Sequence, residues 1–87
     1  MQQGNERVVV YGADWCGVTT GTLRHLDQIG VPYDYVDVDQ DAAASQWVKD
    51  QNKGKELKPT LDIEGEVLSA PRDYMLDDAL KRHGILA

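Results

Sequence analysis

The spacing of apolar positions changes several times along the chain, and each change marks an element. Val8, Val9, Val10 and Tyr11 form a β-branched and aromatic run closed by Gly12, so Arg7–Gly12 is predicted to be a buried central strand. Beyond the Gly12–Gly17 loop, Leu23, Leu26 and Ile29 recur at helical spacing and span about 120° of a helix surface. Gly30 and Pro32 stop that first helix. In Tyr33–Asp39 the period drops to two, with Val36 and Val38 on one side and Tyr35 and Asp37 on the other, as in a half-buried strand. Asp41 is a fitting N-cap for a second helix that carries Ala44, Trp47, Val48 and Gln51 on one face and ends in lysine-rich sequence near Gly54. Trp47 is expected to pack in the core.

Thr60–Ile63 alternates again, and Glu64-Gly65 turns the chain into a second short strand, Glu66–Ser69. A last helix starts near Arg72, carries Leu76, Ala79, Leu80 and His83 on one stripe, and stops at Gly84. The order is β-α-β-α-β-β-α. Such an order predicts an α/β fold with a parallel pair joined by a right-handed crossover, an antiparallel hairpin in the same sheet, and helices over the sheet faces. Residues 1–87 are expected to form one domain, with the polar, aperiodic residues 1–6 as a mobile start.

Charge narrows the function classes. Nine Lys and Arg against fifteen Asp and Glu leave a net charge of −6, and the pI of about 4.6 offers no general attraction to phosphate backbones or anionic lipid. Neither a nucleic-acid nor a membrane role is expected. The longest apolar run, Val8–Tyr11, is too short for a signal peptide or a bilayer span, which makes the cytoplasm the expected location.

Cysteine count narrows them further. Cys16 is the one cysteine, and by itself it makes no internal disulfide, no Cys-based zinc site and no intramolecular dithiol cycle. It lies where the first strand gives way to the first helix, in Gly12-Ala13-Asp14-Trp15-Cys16-Gly17-Val18-Thr19-Thr20. The unpaired N–H groups and positive dipole end of a helix start stabilise a thiolate, so this position favours a nucleophile over a small buried hydrophobe. Trp15 offers a flat wall for a shallow site. No nucleotide-binding glycine motif is present, and His25 and His83 lack partners at metal-ligand spacing, so surface or helix-end charge roles are expected for both. The four aspartates in Asp34–Asp41 are read as a solvated strand face, since no calcium-loop pattern accompanies them.

The run Val9–Thr19, the element order and a proline opening the third strand, Pro59, together resemble the glutaredoxin family. Trp15-Cys16-Gly17, Asp37-Val38-Asp39 with Ala42–Ala44, and Pro59-Thr60 look like its actinobacterial mycoredoxin-type branch. The resemblance covers nearly the whole chain. It implies a thioredoxin-like four-stranded mixed sheet flanked by three helices, and thiol–disulfide exchange on mixed disulfides between proteins and glutathione, mycothiol or another low-molecular-weight thiol. That thiol acts as a co-substrate of a monomer with no permanently bound cofactor. By position, Cys16 matches the nucleophile and Pro59 the family's cis-proline, before which the backbone can pair with a thiol tripeptide. Trp15, Gly17, Thr19, Lys58 and Pro59 fall in the expected thiol-substrate site. Asp73, at the start of the last helix, loosely matches a γ-glutamyl contact, although the family's Gly-Gly-x-Asp-Asp is absent.

Three departures bear on mechanism. Thr19 stands where dithiol relatives have their second cysteine, leaving monothiol chemistry. Asp14 stands near where many relatives carry a cation, and a carboxylate there should oppose the thiolate. Lys58 occupies a position that is usually apolar. It is either a restored positive charge beside Cys16, able to hold a substrate carboxylate, or an exposed loop lysine. Two other classes stay open. Cys16-Gly17-Val18-Thr19 shares its glycine and a hydroxyl residue with the Cys-Gly-Phe-Ser loop of relatives that share a [2Fe-2S] cluster, with glutathione, across a dimer. The third class is a thioredoxin-fold module that binds partners without turnover.

Overall fold

A computed structural model describes residues 6–87. Its elements are β1 (Val8–Gly12), α1 (Gly17–Gln28), β2 (Asp34–Asp37), α2 (Ala42–Gln51), β3 (Thr60–Ile63), β4 (Glu66–Ser69) and α3 (Asp73–Arg82). The strands form one mixed sheet in the order β2-β1-β3-β4, with β1 parallel to β2 and antiparallel to β3, and β3 antiparallel to β4. This is the expected β-α-β-α-β-β-α thioredoxin-like fold, with β1 as a central strand. The expected mobile start falls mostly on residues 1–5, which lie outside the described residues. Glu6, also in that stretch, donates its amide to Asp34 Oδ2 at 2.9 Å.

Two apolar clusters flank the sheet. Val8, Val10, Leu26, Val31, Leu61, Ile63, Leu76, Ala79 and Leu80 join α1 and α3 to one face. A smaller cluster of Val38, Ala44 and Val48, extended by Tyr11, Val36 and Trp47, joins α2 to β1 and β2. Trp47 packs as expected, its ring centroid 4.6 Å from that of Tyr11. Burying a leucine or isoleucine completely is worth about 1.5–3 kcal/mol, so the larger cluster, holding the fully buried Leu26, Leu61, Ile63, Leu76 and Leu80, carries most of the apolar stabilisation.

Local signals set most boundaries. Asp41 caps α2 by accepting the Ala44 amide at 3.0 Å. Gly30, at φ 74°, ends α1 where the Val31 amide reaches back to the Leu26 carbonyl at 3.0 Å. The β2 strand is shorter than the period-two pattern over Tyr33–Asp39 suggests. Asp37 Oδ1 accepts the Asp39 amide at 2.9 Å, and the Asp37 carbonyl accepts the Gln40 amide at 3.0 Å. A local side-chain turn thus competes successfully with the sheet ladder.

Both histidines serve as ties between elements. His25 is not a surface residue. Its side chain is 16% exposed, with Nε2 2.7 Å from Asp77 and Nδ1 3.5 Å from Asp73, linking α1 to α3. His83 lies between Glu64 at 3.1 Å and Glu66 at 2.8 Å and holds the end of α3 to the β3–β4 hairpin.

Candidate active site around Cys16

Sheet register brings three separate segments to one edge. Tyr11 pairs with Thr60 and Gly12 with Asp37, so the loop after β1, the residues after β2 and the residues before β3 meet at the C-terminal end of β1. The Val38 amide donates to the Gly12 carbonyl at 2.9 Å and closes this junction. Crevices beyond strand ends are where α/β sheets place their sites.

Cys16 is the N-cap of α1, with extended backbone (φ −85°, ψ 116°) and a partly exposed thiol. Its amide donates to the Ala13 carbonyl at 3.0 Å and its carbonyl accepts from Thr20 at 3.1 Å. The neutral thiol caps no amide. As a thiolate it accepts from the Thr19 hydroxyl, the Thr19 amide and the Val18 amide, which together with the Lys58 charge outweigh desolvation and lower its pKa. Of these the Thr19 hydroxyl matters most.

Thr19 is fully buried although it is polar. Its Oγ1 lies 3.5 Å from the Ala13 amide, which donates to it, and the same hydroxyl is the largest influence lowering the Cys16 pKa. The space for this side chain exists because residue 12 is glycine. A β-carbon there would fall 2.4 Å from Thr19 Cγ2 and 2.6 Å from Thr19 Oγ1. Where dithiol relatives hold a second sulfur, this chain holds a hydroxyl that favours the thiolate of the first.

Around the thiol stands an exposed rim formed by Trp15, 70% exposed, and Val18, 57% exposed. The Trp15 indole is held in place. Its Nε1–H donates to Asp39 Oδ2 at 2.6 Å, and the Lys58 ammonium lies 5.0 Å from its ring centroid. Lys58 is not an exposed loop lysine, since its side chain is 14% exposed and its Nζ is 2.8 Å from Glu56 Oε1. Pro59 beside it is buried, and the Lys58–Pro59 peptide is cis. Asp14, expected to oppose the thiolate, is engaged by Tyr35, whose hydroxyl donates to Asp14 Oδ1 at 2.7 Å. Burial first, then Asp14, push the Tyr35 hydroxyl pKa up, so it remains a donor.

Gly17 opens α1 with open space at its Cα. Trp15, Cys16, Gly17, Thr19, Lys58 and Pro59 therefore gather at this edge. Asp73 lies in the first turn of α3, its Oδ2 3.5 Å from His25 Nδ1. Sequence reasoning missed Asp39, Tyr35 and Glu56. The first lies in a stretch read as a solvated face, and no periodicity marks any of the three, because each meets its partner only through the sheet edge or a loop.

The sequence profile of the Glutaredoxin family matches residues 8–68, well over half of the chain. The chain belongs to the glutaredoxin family. Within this glutaredoxin, the matched stretch contains the whole cluster around Cys16 and ends before Asp73. Mycoredoxin 1 of Corynebacterium glutamicum is 44% identical over 54 residues, which is 62% of this chain and 66%, just under two thirds, of that relative. Among solved structures, the thioredoxin-like protein BC3987 superimposes with a TM-score of 0.78 at 26% identity, covering 88% of this chain and 97% of its own. Buckwheat glutaredoxin, solved as a glutathione complex, gives a TM-score of 0.71 at 25% identity over 94% of this chain and 83% of its own. No helix among the described residues is long and apolar enough to cross a membrane.

Proposed function

We propose that this glutaredoxin is a monothiol thiol–disulfide oxidoreductase that reduces mixed disulfides between proteins and a low-molecular-weight thiol. The observation that supports this reading most is a partly exposed Cys16 at a helix N-terminus whose thiolate is favoured by a hydroxyl and two amides. The Cys16 thiolate attacks the small-thiol sulfur of the mixed disulfide, that S–S bond breaks, and the target protein leaves as a thiolate that takes a proton from water. Cys16 is then joined to the small thiol. A second small thiol, as its thiolate, attacks the small-thiol sulfur, forms the small-molecule disulfide and returns Cys16 as a thiolate. One free small thiol is consumed per turnover, the other half of the small-molecule disulfide coming from the mixed disulfide itself, and no second protein cysteine is required.

In this reading Trp15 and Val18 form the wall of the site, Gly17 leaves room beside the sulfur, and Lys58 and Pro59 border the small thiol. Asp73 is a further contact for its amino end. Mycothiol and glutathione are the co-substrates to compare, as suggested by the mycoredoxin relative and the glutathione-bound buckwheat structure. The protein acts as a monomer in a reducing compartment such as the cytoplasm, where a lone thiol stays free. The test is turnover of a mycothiolated and a glutathionylated peptide. Wild type should reduce at least one, and Cys16→Ser neither. A wild type inert toward both would overturn the proposal.

A further inference from the structure

A chain of side-chain contacts leads away from the thiol, from Trp15 to a residue that never touches it. Lys58 lies over the Trp15 ring at 5.0 Å. Its ammonium donates to Glu56 Oε1 at 2.8 Å, and the other carboxylate oxygen of Glu56 accepts the hydroxyl of Ser45 on α2. On the far side, Asp39 fixes the indole through Nε1. A lysine has four rotatable side-chain bonds and a strongly hydrated head, so an ammonium with no partner would leave the ring for water. Here the side chain is 14% exposed and that of Glu56 is 24% exposed, so the pair is held against the fold.

We propose that Glu56 is a positioning residue for the nucleophile: anchored by Ser45, it holds the Lys58 ammonium over the ring of Trp15, the residue next to Cys16. The role rests on the reading of Cys16 as the reacting group. It reverses what charge alone would predict. Glu56 is anionic, and removing an anion near a thiol ordinarily lowers the thiol pKa. If Glu56 acts by placing Lys58, its removal has the opposite effect, because the cation is released. Lys58 is a charge that lowers the Cys16 pKa, and Glu56 is not among the leading influences on the thiol. Of the other carboxylates at this edge, Asp14 accepts from Tyr35, Asp39 accepts from Trp15, and Asp37 accepts the Asp39 amide.

The experiment is the pH dependence of Cys16 alkylation by iodoacetamide, which needs no turnover. Its result is therefore separable from whether the protein reduces mixed disulfides. Glu56→Ala should raise the thiol pKa by about half a unit, roughly a threefold loss of thiolate below the pKa. Lys58→Met should raise it as far, and adding Glu56→Ala to Lys58→Met should move it no further. Glu56→Gln, whose amide oxygen can still accept from Lys58, should stay at or below the wild-type value. A fall or no change in Glu56→Ala, or a further rise in the Lys58→Met background, overturns the proposal, as does a rise in Glu56→Gln equal to that in Glu56→Ala. Should Glu56→Ala not fold by circular dichroism, Ser45→Ala cuts the same anchor one link earlier. A rise there supports the role, and no rise overturns it.

Discussion

The hydroxyl of Thr19, one helical turn beyond Cys16, is the strongest of the influences that favour the Cys16 thiolate. The two residues are coupled because the hydroxyl is buried, accepts from the Ala13 amide at 3.5 Å and has its own proton left to give. A hydrogen bond to a charged group is worth about 1.5–3 kcal/mol, and 1.36 kcal/mol corresponds to one pKa unit.

Thr19→Val, which keeps the shape and removes the hydroxyl, should therefore raise the Cys16 pKa by about one unit or more. Thr19→Ser should keep it close to wild type. Alkylation rates measured between pH 5 and pH 10 report both values; equal curves for the valine and serine variants would contradict the role given to the hydroxyl.

Gly12→Ala should damage fold and site together. The added β-carbon would sit 2.4 Å from Thr19 Cγ2, and overpacking of this kind costs about 1–3 kcal/mol. Urea unfolding should show that loss. The same variant should raise the thiol pKa, because relief of the clash moves the Thr19 hydroxyl away from Cys16.

Tyr35→Phe removes the donor that engages Asp14 at 2.7 Å. The freed carboxylate should then oppose the thiolate and raise the Cys16 pKa by a few tenths of a unit, roughly a halving of the thiolate-to-thiol ratio at a fixed pH. Adding Asp14→Asn should reverse the rise. A rise that persists in the double variant would place its cause elsewhere.

Acid should loosen the tie between the hairpin and α3. Arg82 first, and His83 second, hold Glu66 at a pKa of about 2 in the folded protein, against an unfolded value of about 4.3. A depressed carboxylate stabilises the fold above its unfolded pKa, and that contribution disappears as pH falls from about 4.3 toward about 2. Thermal unfolding between pH 2 and pH 6 should show it, and Glu66→Gln should flatten this part of the profile. The groups are exposed, so added salt should shrink the effect.

Much of this protein is set by short-range pattern. The β-branched run Val8–Val10, the helical spacing of Leu23 and Leu26, the Asp41 cap and the Glu64-Gly65 turn each specify an element from a few neighbouring residues, because propensity, period and capping act within about a helical turn. The position of Cys16 between strand and helix follows from the same pattern, and with it the candidate nucleophile. A single cysteine, countable in the sequence, already excluded an internal dithiol cycle.

What surrounds that cysteine was decided by tertiary structure. Pairing Tyr11 with Thr60 and Gly12 with Asp37 brings Lys58 and Asp39 to Trp15 from about forty and twenty residues away. It makes Asp39, read as part of a solvated face, a partner of Trp15, engages the Asp14 carboxylate through Tyr35, and makes Lys58 a half-buried cation tied to Glu56. His25, expected as a surface or helix-end charge, sits in the last turn of α1 and ties it to Asp73 and Asp77 of α3. Hydrogen bonds and ion pairs between distant segments depend on strand order and register, which no local period encodes. The lone thiol was legible in the sequence, whereas the set of donors and charges acting on it belongs to the fold.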